Sequence, residues 1–125
     1  MTPKELLKEY KNWAVLGVTT DEAKYGYRIY KRLKDLDYNV YGVSPKYDYV
    51  DGDQMYTSLN TIPDSIDVVV FVVNPRFADA YIKQMKELGI KEAWMQPGTY
   101  NDDTIKALKE NDLNITLDCV LIQTQ

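Results

Sequence analysis

Five short apolar runs, each bounded by turn-forming residues, recur along this chain. The run at residues 67–73 is apolar at every position after Asp67, which is typical of a central parallel strand buried on both faces. The other runs are shorter or more mixed, but each has the length and composition of a strand. The pattern predicts strands at residues 13–18, 38–43, 67–73 and 92–95, and a fifth strand followed by a short tail within residues 114–122.

Segments with a helical period of apolar residues separate these strands. Thr2, Pro3 and Glu5 suit an N-cap, a first helical position and a capping box, so they predict a short helix near the amino terminus. A second helix is predicted over residues 25–36, where apolar residues are spaced i, i+4 and i+7.

Two further helices are predicted in the second half of the chain. One begins at Pro75 and ends at Gly89, which suits the left-handed position after a helix. Its predicted buried stripe consists of Ala78, Tyr81, Ile82, Met85 and Leu88. The last helix follows Asn101 and Asp102, which suit its amino-terminal cap.

The alternation of strands and helices predicts an α/β fold. Because strand–helix–strand connections are right-handed, it should be a three-layer, doubly wound sheet of about five parallel strands with helices on both faces. We expect one domain that spans residues 1–125. In such sheets a ligand binds at the carboxyl ends of the strands, where the winding direction reverses.

Composition narrows the functional classes. The net charge of −4 argues against sequence-independent binding of nucleic acid, which requires a basic face. No apolar run approaches the roughly 18 residues of a membrane helix, and residues 1–5 lack the features of a signal peptide. The single cysteine, Cys119, cannot form an internal disulfide. We therefore expect a cytoplasmic protein that contacts neither nucleic acid nor membrane.

The chain contains no histidine. This absence removes Ser-His and Cys-His nucleophile pairs, phosphohistidine chemistry and histidine ligation of metals, so it lowers the expectation of an enzyme without excluding one. Asp48, Asp51 and Asp53 lack the spacing and closing glutamate of an EF-hand, so no metal site is predicted.

Gly17 ends the apolar run of residues 13–16 in the first strand and precedes a polar loop and a helix, which is the usual arrangement of a phosphate-binding turn. A dinucleotide fingerprint would also need glycine where Thr19 and Glu22 stand, and no P-loop motif occurs. Lys46, just past the second strand, replaces the acidic residue that NAD binding favours, and it suits a phosphate on the ribose instead.

Five short motifs resemble the small stand-alone CoA-binding proteins. They are the first-strand glycine with its hydroxyl-rich loop, Val-Ser-Pro-Lys at residues 43–46, Val-Val-Asn-Pro at 72–75, Gly-Ile-Lys-Glu-Ala-Trp-Met-Gln-Pro-Gly at 89–98, and Leu-Asp-Cys at 117–119. Those proteins have a Rossmann-like fold and are similar to the CoA-binding domain of succinyl-CoA synthetase α chains. This chain departs from the common pattern at Ser44, where relatives often have asparagine, and at the bulky Tyr25-Gly26-Tyr27.

The resemblance implies coenzyme A as the ligand and assigns it a set of contacts. The diphosphate would lie over Gly17, Val18, Thr19 and Thr20, with Tyr25 and Arg28 near the phosphates. The phosphate on the ribose would contact Lys46, which follows Ser44 and Pro45. The adenine or ribose would lie beside Val73, Asn74 and Pro75, and the pantetheine arm beside Gln96 and Gly98. Tyr47 or Tyr49 could cover the adenine ring, and Cys119 could form a mixed disulfide with CoA.

The leading hypothesis is a non-catalytic protein that binds CoA or acyl-CoA. One alternative is the CoA-binding component of a multi-subunit acyl-CoA ligase, although the chain lacks an ATP-grasp portion and a histidine to phosphorylate. The other is an NAD(P)-binding or redox-sensing module, with NADP left open by Lys46. A homodimer or an unknown protein partner also stays open.

Overall fold

The computed structural model describes residues 1–125, which form seven strands. They are β1 (Asn12–Leu16), β2 (Asn39–Val43), β3 (Tyr49–Val50), β4 (Asp53–Gln54), β5 (Val68–Phe71), β6 (Glu92–Met95) and β7 (Asn114–Leu117). Five of these strands correspond to the predicted apolar runs. The predicted bounds of β6 are those of the structure, and the predicted bounds of β1, β2 and β5 differ from the observed ones by one or two residues at an end.

A single parallel sheet has the strand order β2-β1-β5-β6-β7. The chain first winds from β1 outward to β2, and then returns to the other side of β1 to form β5. The winding direction therefore reverses between β1 and β5, and this is the position at which doubly wound sheets bind ligands.

Helices cover both faces of the sheet, as predicted. Their bounds are α1 (Pro3–Glu9), α2 (Tyr25–Asp35), α3 (Ala78–Leu88), α4 (Asp102–Glu110) and α5 (Val120–Gln123). Side chains alternate along β1, so Trp13 and Val15 pack with α1, α2 and α5, whereas Ala14 and Leu16 pack with α3 and α4. The central strand β5 is buried along its whole length, in agreement with its unbroken apolar sequence.

Helix ends follow the predicted capping chemistry. Thr2 and Glu5 form the capping box of α1, Asn101 caps α4, and Gly89 ends α3 in a left-handed conformation with φ +72°. Pro75 begins a 3₁₀ turn, Pro75–Phe77, that leads into α3 and is capped by Asn74.

The predicted stripe of α3 is wrong at one position. Ala78, Ile82 and Met85 are buried and Tyr81 is half-buried against the same core, but Leu88, at the end of the helix, is exposed.

Two local predictions of the secondary structure also need correction. Residues 47–56, expected to be a loop, contain the antiparallel pair β3–β4, which is joined by a turn at Asp51 and Gly52 with positive φ at both residues. Residues 114–122 were expected to form the fifth strand and a short tail; the strand is β7, which ends at Leu117, and the tail forms the helix α5. None of the helices combines the length and the apolar composition that crossing a bilayer requires.

Candidate functional site

A cleft of about 440 Å³ opens at the carboxyl ends of the strands, where the winding direction reverses. Gly17 forms its floor with φ +90°, a conformation that side chains disfavour. A Cβ atom at this position would lie 2.5 Å from the carbonyl oxygen of Val72. Only glycine therefore lets the turn after β1 approach the backbone beyond β5.

The helix α2 begins against this turn. A Cβ atom at Gly26 would lie 2.1 Å from the carbonyl oxygen of Gly17, so the second glycine lets the first turn of α2 pack directly on the end of β1. Close packing of helix on strand is the role that the third glycine has in a dinucleotide fingerprint. Gly26 fulfils it at a longer spacing, and this is why no fingerprint is visible in the sequence.

The amino terminus of α2 faces the cleft without a cap. Its N-cap residue is Lys24, which cannot supply a side-chain oxygen, and its first turn contains no acidic residue. The N–H groups of Tyr25, Gly26 and Tyr27 have no acceptor within the chain. Together with the helix dipole, three free donors favour an anion at this position.

Two lysines and a phenol lie around the same cleft. Lys24 and Lys46 line it, and neither takes part in an ion pair. The hydroxyls of Thr19 and Thr20, followed by the Lys46 ammonium, stabilise the phenolate and hold the pKa of the Tyr47 side chain below its usual value. The Lys46 Nζ lies 5.3 Å from the centre of the Tyr47 ring. The cleft therefore carries positive potential and hydrogen-bond donors.

The loop after β2 is held by Ser44. This residue is buried, and its Oγ accepts from the N–H groups of Lys46 and Tyr47 at 3.2 and 3.1 Å. The hydroxyl oxygen thus fixes the turn that brings the lysine to the cleft. Pro45, between them, is exposed and faces a different groove.

A smaller and more enclosed pocket of about 170 Å³ continues from the cleft. Tyr25 and Val72 line both spaces, so they form the boundary between them. Gln96, which is 3% exposed, lines the pocket, and its Oε1 accepts from the N–H of Val120 at 2.7 Å. The remaining lining residues are Pro97, Thr99, Cys119 and Ile122.

On the other side of the strand ends lies an apolar groove of about 400 Å³. Pro45 and Val73 form its base, and Arg76, Phe77 and Tyr81 form its wall. Phe77 is 51% exposed, and the Arg76 guanidinium lies 4.7 Å from the centre of its ring. A flat aromatic group could stack in this groove.

The predicted site residues divide among these spaces. Gly17, Val18, Thr19, Tyr25, Ser44 and Lys46 line the cleft, Gln96 lines the enclosed pocket, and Pro45 and Val73 line the groove. The remaining predicted site residues line none of these three spaces. Thr20 and Gly98 are exposed, and Asn74 caps the turn that begins at Pro75. The Arg28 guanidinium lies 5.2 Å from the centre of the Tyr25 ring. Arg28 forms no ion pair with Asp21 or Glu22.

The acidic residues of the β3–β4 segment have a structural role. Asp51 and Asp53 pair with Lys34 of α2 at 3.0 and 2.6 Å, and the Tyr30 hydroxyl donates to Asp53. These contacts hold the hairpin on the helix. No group of three or more Cys, Asp or Glu side chains is arranged to hold a metal ion.

Comparison with known proteins identifies the family. The sequence model of the CoA binding domain matches residues 11–125. This chain belongs to the CoA-binding domain family.

Two sequence relatives align with this chain. The acetate–CoA ligase (ADP-forming) of Methanocaldococcus jannaschii is 35% identical over 83 residues, which make up 66% of this chain and 12% of the ligase. The chain therefore spans about an eighth of that enzyme. The uncharacterized protein YneT of Bacillus subtilis is 25% identical over 120 residues, which make up 95% of this chain and 89% of that protein.

Solved structures share the fold. A hypothetical protein from Pyrococcus horikoshii superposes with a TM-score of 0.90 at 34% identity, over 96% of this chain and 85% of that one. The Rossmann-like architecture predicted for the CoA-binding domain is thereby confirmed.

Three residues that line the cleft of this CoA-binding domain were not among the predicted contacts: Lys24, Gly26 and Val72. Tyr47, which was predicted as a cover for the adenine ring, also lines the cleft, and Cys119, which was predicted to react with CoA, lines the pocket beside it. Gly26 could have been found, because a glycine near a predicted helix start is unfavourable unless close packing requires it. The pocket could not, since its walls come from segments that are distant in sequence.

Proposed function

We propose that this chain is a single, non-catalytic CoA-binding domain of residues 1–125 that holds CoA or an acyl-CoA at the carboxyl ends of its strands. The observation that carries the proposal is the uncapped amino terminus of α2, whose three free N–H groups face a cleft lined by Lys24 and Lys46. A diphosphate suits this position, because several donors and a helix dipole converge there.

Lys46 is proposed to contact the second anionic group of the ligand, the phosphate on the ribose. It follows β2, whereas α2 follows β1, so the two positive regions come from different elements of the sheet edge. The groove beyond Val73 then accepts the adenine ring against Phe77. We further propose a cytoplasmic location, which the single unpaired cysteine supports.

Calorimetry with CoA and dephospho-CoA tests this assignment. We expect CoA to bind at least tenfold more tightly, because a charge-assisted contact contributes roughly 1.5–3 kcal/mol. Lys46→Ala should remove most of that preference while it leaves dephospho-CoA binding nearly unchanged. Lys106→Ala, at an exposed position on α4, is the matched control. Equal affinities of the native protein for the two ligands would contradict the role of Lys46.

A thermal-shift panel of CoA, NAD, NADP and ATP separates the proposal from other nucleotide ligands. A ligand present at about 100 times its Kd stabilises the native state by about 2.7 kcal/mol. We expect a clear rise in Tm with CoA and none with NAD. A larger shift with NADP than with CoA would refute the proposal.

A further inference from the structure

The enclosed pocket beside the cleft points to the part of the ligand that carries the acyl group. Tyr25 and Val72 line both spaces, so a ligand whose phosphates lie at α2 can extend into the pocket without leaving the protein. We infer that the pocket binds a short acyl thioester of two to four carbons, with the Gln96 amide donating to the thioester carbonyl. This inference rests on the proposed CoA-binding function.

Gln96 supplies the hydrogen bond. Because the Val120 N–H can only donate, the group that faces it at 2.7 Å must be the side-chain oxygen of Gln96. This contact fixes the orientation of the amide. Its nitrogen has no acceptor in the chain and is not sealed in the interior, so it is directed toward the pocket that the residue lines. A donor without a protein partner, on a residue that is only 3% exposed, favours a ligand carbonyl.

The size of the pocket sets the chain length. A water molecule takes about 30 Å³ of liquid volume, and a methylene group is similar in size, so 170 Å³ holds about five or six such groups. A butyryl group with its thioester sulfur has six non-hydrogen atoms. A longer chain would pass Ile122, which is 59% exposed, and its remaining methylenes would stay in water.

The lining combines apolar and polar residues. Val72, Pro97 and Ile122 offer hydrocarbon surface to the acyl chain, whereas Gln96 and Thr99 contribute an amide and a hydroxyl. The Thr99 hydroxyl already donates to the backbone carbonyl oxygen of Gln96 at 2.7 Å, whereas the side-chain amide nitrogen of Gln96 has no acceptor in the chain.

Calorimetry with the native protein and CoA, acetyl-, butyryl-, hexanoyl- and octanoyl-CoA tests the inference. A fully buried chain would gain about fourfold in affinity for each added methylene. We expect affinity to rise at least fivefold from CoA to butyryl-CoA and then to stay level or fall through octanoyl-CoA. A continued rise through octanoyl-CoA, or an acetyl-CoA affinity no higher than that of CoA, would overturn it. If CoA itself failed to bind, the proposed function would fall as well.

Gln96→Glu tests the hydrogen bond separately. The substitution keeps an oxygen for the Val120 N–H but replaces the free amide donor by a second carboxylate oxygen, so at pH 8 acyl-CoAs should lose at least tenfold in affinity and CoA less than threefold. Gln54→Glu, which makes the same charge change at an exposed position on β4, should alter neither. Equal losses for CoA and acetyl-CoA would refute the contact with the carbonyl, and the chain-length series stands even if this variant is unstable.

Discussion

At the scale of single residues, two glycines determine the geometry of the candidate site. Gly17 lets the turn after β1 approach Val72, and Gly26 lets α2 rest on the Gly17 carbonyl. Neither contact involves a side chain of the site, yet both decide where the free N–H groups of α2 point. The backbone arrangement therefore depends on two positions at which even one methyl group would collide.

Gly26→Ala should destabilise the protein and weaken CoA binding together. Its Cβ would meet the Gly17 backbone oxygen at 2.1 Å, and backbone cannot move aside as a side chain can, so we expect a loss of about 1–3 kcal/mol in the free energy of unfolding. Urea denaturation measures it.

Gly42→Ala is the control for this prediction. A Cβ at that position would come within 2.4 Å of the Met55 sulfur, which is part of a flexible side chain, so its cost should be smaller. A Gly26→Ala protein as stable as the native one would show that the contact at the start of α2 is not tight.

Residue-level prediction from sequence succeeded where local chemistry decides the outcome. The side chains of Thr2 and Asn101 cap the amino-terminal ends of their helices, as predicted. Gly89 ends α3 in the left-handed conformation that glycine readily adopts. Residue-level prediction missed Gly26: a glycine near a predicted helix start indicates close packing, but the backbone that it packs against lies nine positions earlier in the chain.

At the scale of elements, α2 differs from the other long helices. The 3₁₀ turn leading into α3 is capped by Asn74 and α4 by Asn101, whereas α2 begins at Lys24 with no side-chain acceptor. Its buried face still anchors it through Ile29 and Leu33. The helix thus derives its stability from packing and leaves its first turn free for a ligand.

Lys24→Asp should raise the stability of the fold and lower the affinity for CoA. An aspartate N-cap would accept from the free N–H groups of α2 and stabilise the fold by about 0.5–2 kcal/mol, while CoA affinity should fall at least tenfold because a cation is replaced by an anion. Thermal unfolding and calorimetry on the same variant measure the two effects.

Asn101→Ala provides the opposite control. It removes the cap of α4, where the Asn101 Oδ1 accepts from the Thr104 N–H at 2.9 Å, so it should lower stability by about 1 kcal/mol with CoA affinity intact. If Lys24→Asp raised stability and left CoA affinity unchanged, the diphosphate could not lie at α2.

Element-level errors in the sequence reading have a common cause. The strands of the β3–β4 hairpin have only two residues each, which is too short for an alternating pattern to appear. The segment Val120–Gln123, which was expected to be a short tail, has only four residues, too few for a helical period to appear. Its first N–H finds an acceptor in the Gln96 side chain, from another part of the chain.

At the scale of the whole molecule, one tyrosine side chain links the edge strand β2 to the segment that precedes the central strand β5. The Tyr41 hydroxyl on β2 donates to Asp64, in the segment that precedes β5. This hydrogen bond, together with partial burial, raises the pKa of Tyr41 to about 12. The folded state therefore retains the proton over a pH range in which the unfolded chain has lost it.

The stabilisation from Tyr41 should be complete below about pH 10, the pKa of an unfolded tyrosine. It should decline as the pH rises toward 12. Urea denaturation at pH 8 and pH 11 should therefore show the native protein losing more stability than Tyr41→Phe. Tyr49→Phe, at an exposed position, is the control. Identical pH dependence of the native protein and Tyr41→Phe would show that the contact with Asp64 does not contribute.

The architecture was readable from sequence because the alternation of strands and helices leaves few arrangements of a parallel sheet. The candidate site was only partly readable. The candidate ligand-binding loops after β1 and β2 can be predicted from Gly17 and Lys46. The enclosed pocket cannot, because it brings together Tyr25, Gln96 and Ile122, which belong to no common sequence motif. The shape of a cavity depends on the distances between segments in the folded protein, and a sequence pattern does not contain those distances.

The contact between Gly17 and Gly26 has a consequence for how this protein can change over evolutionary time. The two glycines fix both ends of the intervening loop, and between them only Val18 is buried. The residues from Thr19 to Tyr25 can therefore be exchanged, lengthened or shortened with little penalty to the core. Substitutions in this loop can therefore change which ligand is bound without affecting whether the chain folds, so related sequences can bind different ligands on the same scaffold.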